Sequence, residues 1–290
     1  MRQINLKAMA KINLSLDVTG ERENGYHDLR MVMQSIRLYD RISLNITRSP
    51  GVKMETNLGF LPVDANNLAA KAAKILIDEF QIPEGVFISL EKHIPVAAGM
   101  AGGSSDAAAV LVGMNILFHL GLSQEKLMER GLKIGADVPF CILRGIALAE
   151  GIGEILTPLP HIPDCLILVA KPEVHVSTKY VYSHLVLDEK LKHPDIDGQI
   201  QAIREGNLRE MCRLQGNVLE SVTVPMHPEI GALRDLMLEG GAIGAMMSGS
   251  GPTIFGIFDD EKAVRRTREK LIASPLARQT YLTTPYYPER

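Results

Sequence analysis

The chain has 290 residues, of which 46% are hydrophobic and 22% are charged, and its formal net charge is -3. These values are ordinary for a globular protein and exclude the broad basic surface that non-specific nucleic-acid binding requires. We expect no membrane partner either, because the longest apolar runs fall well short of the roughly 20 residues of a spanning helix. Cys141, Cys165 and Cys212 lie far apart in apolar surroundings, which predicts buried, reduced thiols in a cytoplasmic protein.

Residues 1–60 predict β-structure. The first strand has the period-2 pattern of a strand with one buried face, in which Ile12, Leu14, Leu16 and Val18 alternate with Lys11, Asn13, Ser15 and Asp17. Lys11 and Asn13 therefore share one face. The ammonium group of Lys11 either lies in solvent or stabilises charge on a transferred phosphoryl group. Two more strands are predicted at 31–36 and 42–46.

The turn at Tyr26 and His27 places an aromatic ring beside a titratable one. It is either a surface turn with a partly buried tyrosine or a platform for a planar ligand ring with a hydrogen-bonding partner.

Periodic apolar residues predict a helix over 66–80, a strand over 86–92, and a helix that follows the glycine-rich run and ends near Gly121. A further helix runs from an N-cap at Ser123 to about Gly135. Prolines at 157–163 suggest a boundary between two domains, 1–160 and 161–290.

The second domain begins with a strand at 165–170, and two or three helices follow. A strand–turn–strand unit at 248–258 and a charged helix at 260–273 come next. Strands and helices interleave in both halves, so the predicted fold class is α+β.

The sharpest local feature is the glycine loop, residues 95–105, between a predicted strand and a predicted helix. Glycines let the backbone approach an anion, and a helix start offers unpaired N–H groups. The loop lacks the Gly-Lys-Ser/Thr of a Walker A motif. Phosphate binding and a simple strand-to-helix turn both remain open. Asp106 would repel a nucleotide unless a cation lies nearby.

Asp137 is a lone carboxylate in an apolar stretch. Because an unpaired buried carboxylate is costly, it should cap a helix, form an ion pair or act in catalysis. As a catalytic group it would accept the proton of a substrate hydroxyl.

The second glycine turn, Met247–Thr253, interrupts an apolar strand pair. It is either a tight hairpin or a backbone cradle over substrate or phosphates, with Ser248 and Ser250 as donors.

Taken in this order, these motifs resemble the GHMP kinase superfamily, which includes galactokinase and the homoserine, mevalonate and phosphomevalonate kinases. The resemblance covers nearly the whole chain and is carried by Ala10–Leu14, Gly25–His27, the run 95–108, Gly135–Phe140 and Met247–Thr253. Two of these segments, Gly25–His27 and Gly135–Phe140, favour the branch whose small-molecule substrate is cytidine diphosphate methylerythritol.

The resemblance implies an N-terminal α/β domain, a C-terminal ferredoxin-like domain, and ATP and Mg²⁺ as cofactors. It implies that Asp137 is the base and Lys11 its charged partner. The implied triphosphate site consists of Pro95, Val96, Ala97, Ala98, Gly99, Met100, Ala101, Gly102, Gly103, Ser104 and Ser105, with Ser104 or Ser105 near the metal. Asn67 is similar to the adenine-contacting residue. The implied contacts of the acceptor substrate are Asn13, Tyr26, His27, Tyr182, Ser248 and Gly249.

Two departures stand out. Met100 replaces the usual Leu, a swap that conserves volume, and Val218 stands where the family commonly has Asp. A monomer or weak homodimer is expected. The alternatives are another GHMP kinase, an RNA-binding module, which the acidic charge balance disfavours, and a glycine-loop oxidoreductase.

Overall fold

The computed structural model describes residues 2–23 and 25–289. The chain forms two compact units that alternate along the sequence. Unit 1 contains the described residues up to Ala10 together with Leu38–Val96 and Ala101–Arg144. Unit 2 contains the described part of Lys11–Arg37, the short segment Ala97–Met100, and the residues from Gly145 onwards. The consecutive domains 1–160 and 161–290 are a different division, and that division stays a prediction.

Two long strands run through both units, β1 (Gln3–Glu21) and β2 (His27–Thr47), and they pair with each other. Unit 1 adds the remaining elements β3 (Gly51–Thr56), α1 (Leu68–Phe80), β4 (Gly85–Glu91), α2 (Gly102–Leu117), α3 (Gln124–Leu132) and α4 (Val138–Leu143). Within this unit β4 pairs antiparallel with the second part of β2 and parallel with β3.

The core of unit 1 lies between these strands and the helices α1 and α2. Leu44 and Ile88 from the strands pack in one cluster with Leu76 of α1 and with Val110 and Met114 of α2. Helix α2 is buried along most of its length, since small and aliphatic residues occupy nearly its whole circumference. Its N-terminus is therefore held in a fixed position by packing.

In unit 2 the first part of β2 pairs antiparallel with β5 (Ile146–Gly151), which pairs with β6 (Ile155–Pro158). Unit 2 also contains a second, antiparallel sheet, whose strands lie in the order β10-β7-β9-β8. Its strands are β7 (Leu166–Lys171), β8 (Gly244–Met247), β9 (Ile254–Phe258) and β10 (Gln279–Thr283).

Helices connect these strands in the pattern of a split β-α-β-β-α-β unit. Between β7 and β8 lie α5 (Thr178–Ser183), α6 (Ile196–Arg204), α7 (Leu208–Arg213), α8 (Glu220–Met226) and α9 (Pro228–Glu239), and α10 (Glu261–Ala273) precedes β10. This sheet order and connectivity are ferredoxin-like. The predicted α+β class is confirmed.

Two predictions about elements were wrong. The strands expected at 31–36 and 42–46 are parts of the single strand β2, because the intervening residues 37–41 are extended too. The two or three helices expected after β7 are five. The shortest of them, α5 and α7, have 6 residues each, which is too few for a helical period to be visible in the sequence.

The three cysteines are buried and reduced, as predicted. Across the part of the chain that the structure describes, no helix combines the length and apolar character needed to cross a membrane.

Candidate active site

The glycine loop has an unusual backbone. Gly99 has φ +68°, but Ala97 and Ala101 also lie in the left-handed region, with φ +50° and +54°. Side chains with a Cβ adopt this region only when the surrounding structure imposes it, and such residues concentrate at functional sites. The main chain of the loop is therefore held in one conformation.

The loop leads directly into α2, whose N-cap residue is Ala101. The side chain of alanine has no oxygen with which to cap, so this N-cap residue makes no side-chain capping hydrogen bond. The first N–H groups of α2 and the positive end of its dipole therefore offer an anion site.

The two serines of the loop differ. Ser105 is buried, and its hydroxyl donates to the carbonyl oxygen of Met9 at 2.5 Å. Ser104 is only half-buried. Of the two predicted metal-contacting residues, Ser104 is thus the more exposed, and Ser105 acts as an anchor between α2 and β1.

Asp137 occupies the N-cap position of α4, but its side chain makes no capping hydrogen bond. The capping interpretation is therefore not supported. The segment that carries Asp137 lies beside the start of α2, because a Cβ added to Gly135 would be 3.9 Å from the Ser104 hydroxyl. Within unit 1, a carboxylate-bearing turn and an uncapped helix start are neighbours.

Asp106 belongs to a buried ionic cluster that the sequence did not reveal. The ammonium of Lys92 bonds to Asp106 Oδ2 at 2.6 Å and also to Asp40 Oδ2. Burial raises the pKa of the Asp106 carboxyl group, and the Lys92 ammonium opposes that rise. Burial lowers the pKa of Lys92, but the two carboxylates raise it by more, so its net shift is upward. Lys92 is thus a cation in direct contact with Asp106.

In unit 2, Lys11 and Asn13 share one face of β1, as their spacing predicted. The expectation of a single buried face was wrong, because Lys11 and Asn13 are buried as well as Ile12 and Leu14. The Lys11 ammonium donates to Asn13 Oδ1 at 2.7 Å. The main-chain N–H of Lys11 donates to the carbonyl oxygen of Met100 at 3.2 Å. Lys11 is thus not a solvated surface lysine, and its backbone is attached to the glycine loop.

The second glycine turn contacts the first. The Ser248 hydroxyl donates to the carbonyl oxygen of Gly99 at 3.0 Å and accepts from the N–H of Asn13 at 3.3 Å. A Cβ on Gly99 would lie 2.1 Å from the Ser248 carbonyl oxygen. The approach of the two turns therefore requires glycine at position 99.

Two residues that hold the second turn were missed by sequence reasoning. The side-chain amide of Asn217 donates to the carbonyl oxygens of Met247 and Gly249 at 2.9 and 2.8 Å. Glu220 Oε1 accepts from the N–H of Met247 at 2.7 Å. The segment 217–220 thus has a structural role, and within it Val218 is a buried apolar residue. The only signal in the sequence was a pair of polar residues in an apolar stretch.

The rings of His27 and Tyr182 are brought together, with centroids 5.1 Å apart and planes tilted by 43°. Tyr26, which precedes His27 in the chain, is 58% exposed. The paired rings of His27 and Tyr182 form a partly open group in unit 2. Such a group suits a planar ring.

Asn67 caps α1. Its Oδ1 accepts from the N–H of Ala69 at 3.0 Å, and its amide donates to the Pro62 carbonyl at 2.9 Å. This accounts for its place at a helix start, and its contact with adenine stays a prediction.

Comparison with known proteins gives concordant results. Residues 67–145 match the family GHMP kinases N terminal domain, and residues 199–277 match GHMP kinases C terminal. A 4-diphosphocytidyl-2-C-methyl-D-erythritol kinase of Lachnoclostridium phytofermentans is 56% identical over 97% of this chain and 96% of its own length. The enzyme of the same name from Lachnospira eligens is 54% identical over 99% of this chain and 100% of its own.

Solved structures agree. A crystal structure of 4-(cytidine 5'-diphospho)-2C-methyl-D-erythritol kinase is similar with a TM-score of 0.84 at 32% identity, over 98% of this chain and 100% of that one. A homoserine kinase from Cytophaga hutchinsonii has a TM-score of 0.80 at 19% identity, over 99% of this chain and 95% of that one. The second similarity shows the shared fold alone.

Proposed function

Because the chain belongs to the family of 4-diphosphocytidyl-2-C-methyl-D-erythritol kinases within the GHMP kinases, we propose that it transfers the γ-phosphoryl group of ATP to the 2-hydroxyl group of 4-diphosphocytidyl-2-C-methyl-D-erythritol. The products are ADP and the 2-phosphorylated diphosphocytidyl alcohol. The reaction is a step of the non-mevalonate route to isoprenoid precursors.

One observation supports phosphoryl transfer more than any other. The uncapped N-terminus of α2 lies beside the turn that carries Asp137. An uncapped helix start is suited to the phosphates, and a carboxylate without a capping role is suited to the acceptor hydroxyl. Phosphoryl transfer needs little more from a protein than such positioning together with charge stabilisation.

In the proposed mechanism Asp137 accepts the proton of the substrate's 2-hydroxyl group while the oxygen of that hydroxyl group forms a bond to the γ-phosphorus of ATP. The bond from that phosphorus to the β–γ bridging oxygen breaks, and ADP leaves. Lys11 contributes positive charge that offsets the charge developing on the phosphoryl group. Asn13 orients the Lys11 ammonium through their hydrogen bond.

Mg²⁺ bound with ATP would neutralise charge on the β- and γ-phosphates. The described residues contain no group of three or more His, Cys, Asp or Glu side chains arranged to hold a metal ion. Mg²⁺ often keeps several waters and takes few protein ligands beside the substrate phosphates. The half-buried Ser104 suits a metal ion with few protein ligands better than the buried Ser105 does.

Different residues would bind the acceptor substrate and ATP. Tyr26 and Tyr182 would stack on the cytosine ring, and His27 would hydrogen-bond to it. Main-chain amides of 95–105 would bind the triphosphate, with Asn67 near the adenine. Ser248 and Gly249 would complete the acceptor site.

The test is a coupled assay for ADP release with three alcohols: the diphosphocytidyl substrate, mevalonate and homoserine. Turnover with the first and background rates with the other two is the expected result. Faster turnover of mevalonate or homoserine would assign the chain to another GHMP activity. Light scattering of the same sample tests the expected monomer or weak homodimer.

A further inference from the structure

The buried cluster of Lys92, Asp40 and Asp106 links both ends of the glycine loop. Asp40 lies in β2, Lys92 follows β4 directly, and Asp106 is in the second turn of α2. The other carboxylate oxygen of Asp40 accepts the N–H groups of His93 and Ile94 at 2.5 and 2.7 Å. The chain entering the loop and the helix leaving it therefore meet at one ammonium group.

The Lys92 ammonium group also lies close to the first residue of α2. A Cβ on Gly102, the first residue of α2, would be 3.2 Å from Lys92 Nζ. Nζ is thus almost in contact with the backbone whose N–H groups form the anion site. A charge at this position acts on a bound phosphate through the protein interior, where screening is weaker than in water.

The charges within the cluster do not cancel. Two carboxylates share one ammonium, so the ionised cluster carries one net negative charge. The Oδ1 atom of Asp106 is buried and has no hydrogen-bond partner among residues 2–23 and 25–289. This arrangement is unfavourable for stability alone, because a buried carboxylate oxygen without a donor is costly. It points to a role beyond anchoring.

We propose that Lys92 and Asp106 set the affinity of the glycine loop for nucleotide phosphates. The Lys92 ammonium holds the loop ends in place and offsets the charge of Asp106, and Asp106 limits how tightly the triphosphate binds. This inference rests on the proposed ATP site. Lys92 is a positioning residue here and does not touch substrate.

The central experiment uses Asp106→Asn, which keeps the shape and an acceptor for Lys92 but removes the negative charge that the Asp106 carboxylate carries when it is ionised. Binding of ATP, ADP, AMP and adenosine is measured by calorimetry without the alcohol. The expected result is tighter ATP binding, by roughly 2- to 15-fold, the range for one unit charge at about 10 Å between effective dielectric constants of about 80 and 20. The gain should shrink from ATP to AMP and vanish for adenosine.

The converse variant is Lys92→Met, which should weaken ATP binding more than AMP binding and leave adenosine binding nearly unchanged. Should it fail to fold, because it leaves two buried carboxylates without a cation, Asp106→Asn carries the test by itself. Glu79→Gln is the matched control. This substitution makes the same change in net charge, but at the surface ion pair of Glu79 with Arg130, near the C-terminal end of α1. The Glu79→Gln variant should bind all four ligands like the wild type.

A merely structural cluster predicts another pattern, in which both variants weaken all four ligands alike. That pattern, or unchanged ATP affinity in Asp106→Asn, overturns the inference. If the wild-type protein itself binds no ATP, the proposed function fails first. The two failures are therefore distinguishable.

Discussion

The hydroxyl group of Ser248 donates to the carbonyl oxygen of Gly99 at 3.0 Å, although 149 residues separate them. Residues 97–100 of the glycine loop and the second glycine turn are thus parts of one backbone surface in unit 2. Because Asn13 and Lys11 of β1 bond to the same two turns, three of the motifs recognised in the sequence converge there.

Gly99→Ala should be more harmful than another glycine substitution at the same backbone angle. Gly99 and Gly121 have φ +68° and +67°. A Cβ at 99 would lie 2.1 Å from the Ser248 carbonyl oxygen, but a Cβ at 121 would have no neighbour within 4 Å among the residues that the structure describes. Gly121→Ala should cost about 1–2 kcal/mol of unfolding free energy through backbone strain alone. Gly99→Ala should cost more and raise the KM for ATP. Urea unfolding measures the stability of the two variants, and steady-state kinetics measure their KM for ATP. Equal losses of unfolding free energy in Gly99→Ala and Gly121→Ala would refute the contact between Gly99 and Ser248.

Asp137→Asn should reduce kcat by about 10²- to 10⁴-fold, the usual contribution of a general base. ATP affinity should stay near that of the wild type, since the variant keeps the size of the side chain. Asp260→Asn is the control, because Asp260 is an N-cap that does accept hydrogen bonds from its helix, α10. It should keep full turnover. Normal kcat in Asp137→Asn would remove Asp137 from the role of base.

Tyr182→Ala should raise the KM for the diphosphocytidyl substrate far more than the KM for ATP. One stacking face on a base contributes about 1–3 kcal/mol, which corresponds to roughly 5- to 150-fold. Tyr180→Ala is the matched control on the same helix. The Tyr180 ring stacks on the His184 ring, with their centroids 3.7 Å apart. Steady-state kinetics with each substrate varied give both constants. Equal changes in the two KM values would place the cytosine elsewhere.

Asn217→Asp should loosen the second glycine turn. The variant replaces two N–H donors by a carboxylate oxygen that faces the carbonyl oxygens of Met247 and Gly249. A loss of about 1–3 kcal/mol in unfolding free energy is expected. Asn207→Asp, at the N-cap of α7, should be nearly neutral because both residues cap well. Equal stability of the two variants in urea would contradict the role given to Asn217.

Thiol reagents should label Cys165 and Cys212 very slowly in the native protein. Burial raises the pKa of each thiol to about 12, so that the thiolate fraction at pH 8 is about 1 in 10⁴. Between about pH 9 and 12 the folded state holds protons that the unfolded state has lost. Stability should therefore fall as the pH rises through that window. Rapid labelling of these cysteines at pH 8 without denaturant would disprove the burial.

Much of the site could be predicted because each motif has a local physical requirement. The helix start at α2, the N-cap at Ser123 and the polar face of β1 all follow from neighbouring residues. Contacts between distant residues could not be predicted in this way. Asn217 supports the second turn from 30 and 32 residues away, and its sequence surroundings do not reveal this.

By itself, the sequence determined the fold class, through the periodicity of its apolar residues, and the resemblance to the family, through the order of its motifs. It also predicted the glycine loop as the phosphate site. The tertiary structure alone decided which serine is accessible, because the burial of Ser105 against Met9 arises only when α2 packs on β1. It also decided that Lys92 is the cation beside Asp106. Lysines are common in any sequence, and only packing determines which ammonium group is withdrawn from water beside which carboxylate.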